Sequence, residues 1–144
     1  MTSLKNAICT VCGIIGSLIC ELFGGWSMAM TTLLIFMAID YLTGVLLALV
    51  WNRSPKSDNG GLDSRAGFKG LVRKGVILLV VLVAHRLDLL LEVDYIMNAV
   101  VIAFCTNELI SLIENVGIMG VPIPKPITRV IEILKEKDDA EYKG

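Results

Sequence analysis

Between Trp26 and Trp51 lie 24 residues, Ser27 to Val50, that contain one charged side chain, Asp40. At a rise of about 1.5 Å per residue, such a run crosses the roughly 30 Å hydrocarbon layer of a bilayer, and a tryptophan at each end suits an interfacial anchor. An Asp at the centre of an inserting helix costs about 2.5 to 3.5 kcal/mol, whereas each Leu, Ile, Phe or Val returns about 0.3 to 0.6. The run holds eleven of these four residue types, so insertion wins. A soluble globular fold is excluded.

The rest of the chain follows the same pattern. Of 144 residues, 55% are hydrophobic and only 19% charged, where a soluble domain carries about a quarter. The charges gather between Asn52 and Lys74 and again after Lys125. The intervals between them predict helices over 7–23, 27–50, 76–91 and 95–113. The first, 17 residues long, sits at the lower limit for a span. Lys5, the apolar Ala7 to Cys20 and the small residues Ser27-Met28-Ala29 have the outline of a cleavable leader. However, the apolar sequence resumes at once, and Cys9, Gly13, Gly16 and Cys20 share one helical face of the kind that lets membrane helices approach closely. A retained first helix is therefore expected. Residues 1–120 form a transmembrane helical domain. In 121–144, Pro122, Pro124 and Pro126 make a turn, and Ile127, Val130, Ile131 and Leu134 recur at helical spacing before a charged tail. The fold class is an all-α integral membrane protein with three to four transmembrane helices plus a short C-terminal amphipathic helix.

Residues 52–75 read as a polar loop with Asn59-Gly60-Gly61 as its turn. It carries Arg53, Lys56, Arg65, Lys69, Arg73 and Lys74 against Asp58 and Asp63. Short basic loops stay on the cytoplasmic side, so these six cations set the topology. Four crossings then leave both termini in the cytoplasm; three crossings result if the first segment does not span. Only Phe68 could stack on a base, so no nucleic-acid partner is expected.

The polar residues inside the apolar segments are the candidate site. Asp40, Thr43, Gly44 and Ala48 fall on one face of the second segment. His85, Asp88 and Glu92 form a stripe on the third, and Glu108, Ser111 and Asn115 share a face of the fourth. Lipid does not tolerate such stripes, so they pack against helices, against other copies, or along water. A proton relay through Asp40 and His85 is the functional alternative to simple packing. Three of the four cysteines lie in the first apolar segment, so Cys9, Cys12, Cys20 and Cys105 read as small buried hydrophobes rather than as metal ligands or disulfides. With one histidine, no nucleophile elbow and no phosphate-cradling glycine loop, neither an enzyme nor a metal or cofactor is expected.

Three sequence blocks carry a family likeness. They are Asp40-Tyr-Leu-Thr-Gly44, then Ser64-Arg-Ala-Gly-Phe-Lys-Gly-Leu with Arg73-Lys74-Gly75, then Asn107-Glu-Leu-Ile-Ser-Leu-Ile-Glu-Asn115 followed by Gly120-Val-Pro-Ile-Pro-Lys125. In this order and at these spacings, over about residues 30 to 135, the chain resembles the toxin-secretion and phage-lysis holin family of Gram-positive phages and clostridia. The resemblance implies a homo-oligomer in the bilayer of the bacterial cytoplasmic membrane. It would open large lesions at a set time, coupled to an endolysin or a secreted toxin that then crosses. It also implies helix-packing or pore-lining roles for the polar face residues. An internal start at Met28 or Met30 would delete the first helix.

Two other classes fit the same residues. A small oligomeric proton-coupled transporter or ion channel subunit would use Asp40 and Glu108 as ion ligands, although no Pro interrupts the second segment near mid-membrane. A membrane scaffold would recruit a soluble partner through the basic loop or the tail and would permeabilise nothing.

Overall fold

The computed structural model describes residues 1–141, and these are helical with short connections. Five α-helices follow in order: α1 Thr2–Leu22, α2 Met28–Leu46, α3 Ser64–Leu91, α4 Ile96–Ile118 and α5 Lys125–Glu141. A π-helical turn, Leu47–Trp51, prolongs α2. No strand occurs among the described residues. Three helices are long and apolar enough to cross a membrane: α1, α2 with its π turn (Met28–Trp51), and α4.

The third helix departs from the sequence expectation. It starts at Ser64, not Val76, so the second half of the supposed loop 52–75 is helix. Asp63 caps it, its Oδ1 accepting a hydrogen bond of 2.8 Å from the Arg65 amide, which satisfies one of the first-turn donors. The charges and the turn Asn59-Gly60-Gly61 make that stretch read as loop. At 28 residues, α3 is about 42 Å long, with a charged half and an apolar half. The true loop, 52–63, is internally bonded. The Ser54 amide donates to the Gly60 carbonyl (2.9 Å) and the Ser57 hydroxyl to that of Gly61 (2.7 Å). Gly60 has φ +74, and a Cβ there would collide with the Asn52 carbonyl.

Helix α4 runs on to Ile118, past the expected Ile113. Helix α5 begins at Lys125, with Pro126 in its first turn, where the missing N–H costs nothing. It continues through Glu141, where the sequence had suggested a short helix and then a tail; residues 142–144 lie outside the described residues. Ile131 is buried, and α5 packs on α4.

Helices α2, α3 and α4 form the bundle, with α4 against both of the others. α3 runs antiparallel to α2, and α4 runs parallel to it. Their apolar core occupies one half: Met30, Leu33 and Met37 from α2, Ile77 and Val81 from α3, Val101 and Cys105 from α4. At that end Asp88 does the work of a cap, accepting from the amides of Ile96 and Met97 at 2.9 Å each. Helix α1 stands apart, with no buried residue. Cys9 and Cys12 are exposed and Cys20 half-buried; only Cys105 is the buried hydrophobe that all four were expected to be.

Candidate functional site

Halfway along the bundle, the apolar core gives way to charge. Asp40 on α2 is 3% exposed and Glu108 on α4 is 7% exposed. Lys74 of α3 sits between them, its ammonium donating to Asp40 Oδ2 at 2.9 Å and to Glu108 Oε2. Two buried carboxylates thus share one half-buried lysine. Lys56, reaching in from the loop, places its Nζ 3.8 Å from Asp40 Oδ2 and donates to Ser111 Oγ at 3.5 Å. Asn115, 2% exposed, completes the shell. Its amide group donates to Asp40 Oδ1 (3.3 Å) and to Thr43 Oγ1 (3.2 Å), while the Thr43 hydroxyl donates to the Asp40 carbonyl (3.0 Å).

The cluster resolves a physical problem. An unpaired buried carboxylate is expensive, and a paired one is tolerable when its remaining lone pairs are also bonded. Two carboxylates with two ammoniums close to neutrality, and the amide and hydroxyls occupy remaining positions. No buried side-chain nitrogen or oxygen lacks a partner among the described residues.

Several residues singled out in the sequence meet here: Asp40, Thr43, Glu108, Ser111 and Asn115 in the cluster. Gly44 lies beside it, a Cβ there falling 3.7 Å from Asn115 Nδ2, and Ala48 is buried one turn further on. His85 and Asp88 do not join them. The imidazole of His85 lies against the turn after α1, where a Cβ on Gly24 (φ +72) would collide with it, and Asp88 caps α4. Glu92 ends α3 in the left-handed region (φ 55) and is exposed. The expected stripe of His85, Asp88 and Glu92 is therefore three separate devices at one end of the bundle. A relay from Asp40 to His85 has the apolar core in between.

The missed participants are Lys74 and Lys56, counted in the sequence only as topology-setting cations. A signal was present. Asp40 and Glu108 each needed a cation, and Lys74 stands at the edge of the apolar run that begins at Val76, where a lysine stem lies along apolar surface while its head reaches a polar partner. Arg53, Arg65, Lys69 and Arg73 stay exposed.

Below the cluster the bundle opens into a vestibule of about 620 Å³. Its walls are α2 (Tyr41, Gly44, Ala48), the first turns of α3, α4 (Asn107, Ser111, Glu114) and the loop 52–63, and its floor is Asp40, Lys74 and Glu108. The molecule therefore has three layers: apolar core, charged cluster, polar vestibule.

Apolar spanning helices with polar side chains turned inward define a multi-pass protein of the inner, cytoplasmic membrane. The chain belongs to the bacteriophage holin family, whose model matches residues 17–136, a family of non-enzymatic membrane proteins. Among its relatives is an uncharacterised protein of Clostridium perfringens strain 13, 39% identical over 92% of this chain and 95% of its own length. One from Halalkalibacterium halodurans is 40% identical over 79% and 83% of the respective chains. The probable holin of Bacillus phage phi105 is 32% identical over 74% of each chain. No solved structure matches.

Proposed function

We propose that this chain acts as a phage-type holin: copies assemble in the cytoplasmic membrane into homo-oligomeric lesions through which an endolysin, or in a toxin locus a secreted toxin, crosses. The observation that carries this reading is the Asp40–Lys74–Glu108 cluster in a bundle whose outer face is apolar apart from the first turns of α3. In the single chain each polar face is satisfied by its neighbours. When copies pack and water enters, Asp40, Thr43, Ser111 and Asn115 exchange those partners for other protomers or water, and the same helices line an opening. Such a protein has two states, a quiet pool and an open assembly, with no covalent step.

The basic segment, with Arg53, Lys56, Arg65 and Lys69, belongs on the cytoplasmic side in this reading, and with four crossings both termini lie there too. Helix α3 crosses despite its charged half, because Lys74 is neutralised within the bundle and the outer cations reach the headgroups. His85 and Asp88 have packing roles at the far end.

A second reading, a proton-coupled transporter or ion channel subunit, draws on the vestibule that ends on buried charge. One experiment separates the two. The chain is induced in bacteria holding a cytoplasmic reporter enzyme, and enzyme and potassium are measured outside the cells. Release of folded enzyme is expected, and Asp40→Asn should shift its onset time or the oligomer size. Potassium loss with no enzyme would favour the channel, and neither would remove both readings.

A further inference from the structure

Arg65, Lys69 and Arg73 recur at i, i+4 and i+8 on α3, so they form one stripe over about 12 Å of helix. All three are exposed. Among the described residues the ion pairs are Lys56–Asp40, Lys74–Asp40 and Lys74–Glu108, and the stripe takes part in none of them. Its depth follows from Lys74, next in sequence, which reaches Asp40 midway along α2. The stripe therefore descends from the loop end of α3 into one leaflet. Beside it, Phe68, Leu71 and Val72 are 68%, 57% and 48% exposed; of the stripe itself, Lys69 and Arg73 line the vestibule.

Cations at that depth need an anion or water, because hydrocarbon excludes them. Of the carboxylates near them, Asp40 and Glu108 are committed to Lys74 and Asp63 to the α3 cap; Glu114, on the α4 wall of the vestibule, forms no ion pair with the stripe. The anion a bilayer offers at headgroup level is a lipid phosphate, and anionic headgroups attract basic side chains most strongly. The apolar flank discriminates further. A free phosphate has no use for Phe68, Leu71 and Val72, whereas a phospholipid brings its phosphate and acyl chain to both features at once.

We propose that Arg65, Lys69 and Arg73 bind the phosphodiester of an anionic phospholipid at the rim of the vestibule, with Phe68, Leu71 and Val72 against its acyl chain. This differs from topological retention, which depends on how many cations a loop holds; a site depends on where they stand. It is also independent of whether the assembled protein opens lesions.

The test is native mass spectrometry of the purified full-length chain in nonionic detergent, titrated with dioleoylphosphatidylglycerol, dioleoylphosphatidylcholine or inorganic phosphate. Phosphatidylglycerol should bind more than tenfold tighter than phosphatidylcholine, at about fivefold per cation engaged. R65Q/K69Q/R73Q should abolish the preference, whereas K5Q/K125Q/R129Q, which removes the same charge elsewhere, and R65K/K69R/R73K, which keeps it in place, should retain it. Circular dichroism checks folding. If the triple variant loses its helix, R73Q alone is read, with about fivefold weaker binding expected. Equal affinity for the two lipids, equal loss in both charge-removing variants, an unchanged R73Q, or displacement of the lipid by inorganic phosphate would each overturn the proposal.

Discussion

Helix α1 and the α2–α4 bundle are both apolar, yet only one of them packs. Every residue of α1 except Cys20 is exposed; its Thr10 hydroxyl turns back on its own helix to the Asn6 carbonyl (2.8 Å). Contact with the bundle is seen in the region just after it, where Phe23 meets the core and Gly24 meets His85. In α2–α4, by contrast, Leu33, Leu47 and Val81 are 0% exposed and Val101 1%. The difference teaches what holds helices together where lipid replaces water. Apolar surface gains nothing by leaving lipid for another apolar helix; close shape fit and polar groups that need partners supply the association. The bundle has both. Helix α1 has a smooth face of small residues, and its charged side chains, Lys5 and Glu21, stand near its two ends rather than in its middle.

The sharpest way to break this comparison is Lys74→Met. It keeps an unbranched stem, one atom shorter and without the ammonium, and leaves Asp40 and Glu108 buried together, with only Lys56 nearby. Removing one partner of a buried charge pair costs about 3 to 5 kcal/mol, so denaturant unfolding followed by tryptophan fluorescence should show a loss of that size. The triple variant Asp40→Asn, Lys74→Met, Glu108→Gln, which removes every charge of the trio, should regain most of it. If K74M were as stable as the parent, the cluster would not hold the bundle. Next in size is Leu33→Ala, at a position closed on all sides by α3 and α4. The unfilled space should cost about 2 to 5 kcal/mol in the same assay, because lost contacts are not replaced by lipid.

The same contrast explains how much could be read from the chain. Helix α2 was legible in full because length, apolarity and flanking tryptophans agree. The inward faces were legible too: Asp40 with Thr43, Gly44 and Ala48, and Glu108 with Ser111 and Asn115, follow from a period of 3.6. What spacing along one helix does not carry is the partner on another. Lys74 was counted with its basic neighbours because the rule that fixes topology treats every cation alike, and the length of a lysine side chain is invisible to it. The start of α3 was hidden for a related reason: the charges and glycines of its first turns outweigh the short apolar stripe of Phe68, Leu71 and Val72 at i, i+3 and i+4. His85, Asp88 and Glu92 show the opposite error. They share a helical face, but α3 ends there: His85 meets the turn after α1, Asp88 caps α4, and Glu92 is exposed.

A smaller effect sharpens the comparison at the end of the bundle far from the vestibule. Asp88→Ala removes the carboxylate that accepts from Ile96 and Met97, leaving two amides of the α4 N-terminus without their acceptor. Loss of a helix cap costs about 0.5 to 2 kcal/mol. Hydrogen exchange should rise in the first turn of α4 and stay unchanged around Glu108. Faster exchange throughout α4 would mean that the two ends of the bundle are not independent.

The smallest effect is expected at Ile15→Ala on α1, and it is the counterpart of Leu33→Ala. Both substitutions shorten a large aliphatic side chain within an apolar helix, so composition and hydropathy treat them nearly alike. Ile15 is 51% exposed, whereas Leu33 is 0%. In a bilayer or micelle the space left at Ile15 fills with acyl chain, so stability should stay within about 0.5 kcal/mol of the parent. A loss at Ile15 approaching that at Leu33 would show that α1 has a protein partner in the membrane, and such a loss should then grow with protein concentration, because the partner would be another copy. Unchanged stability at every concentration would leave α1 a helix held by lipid alone.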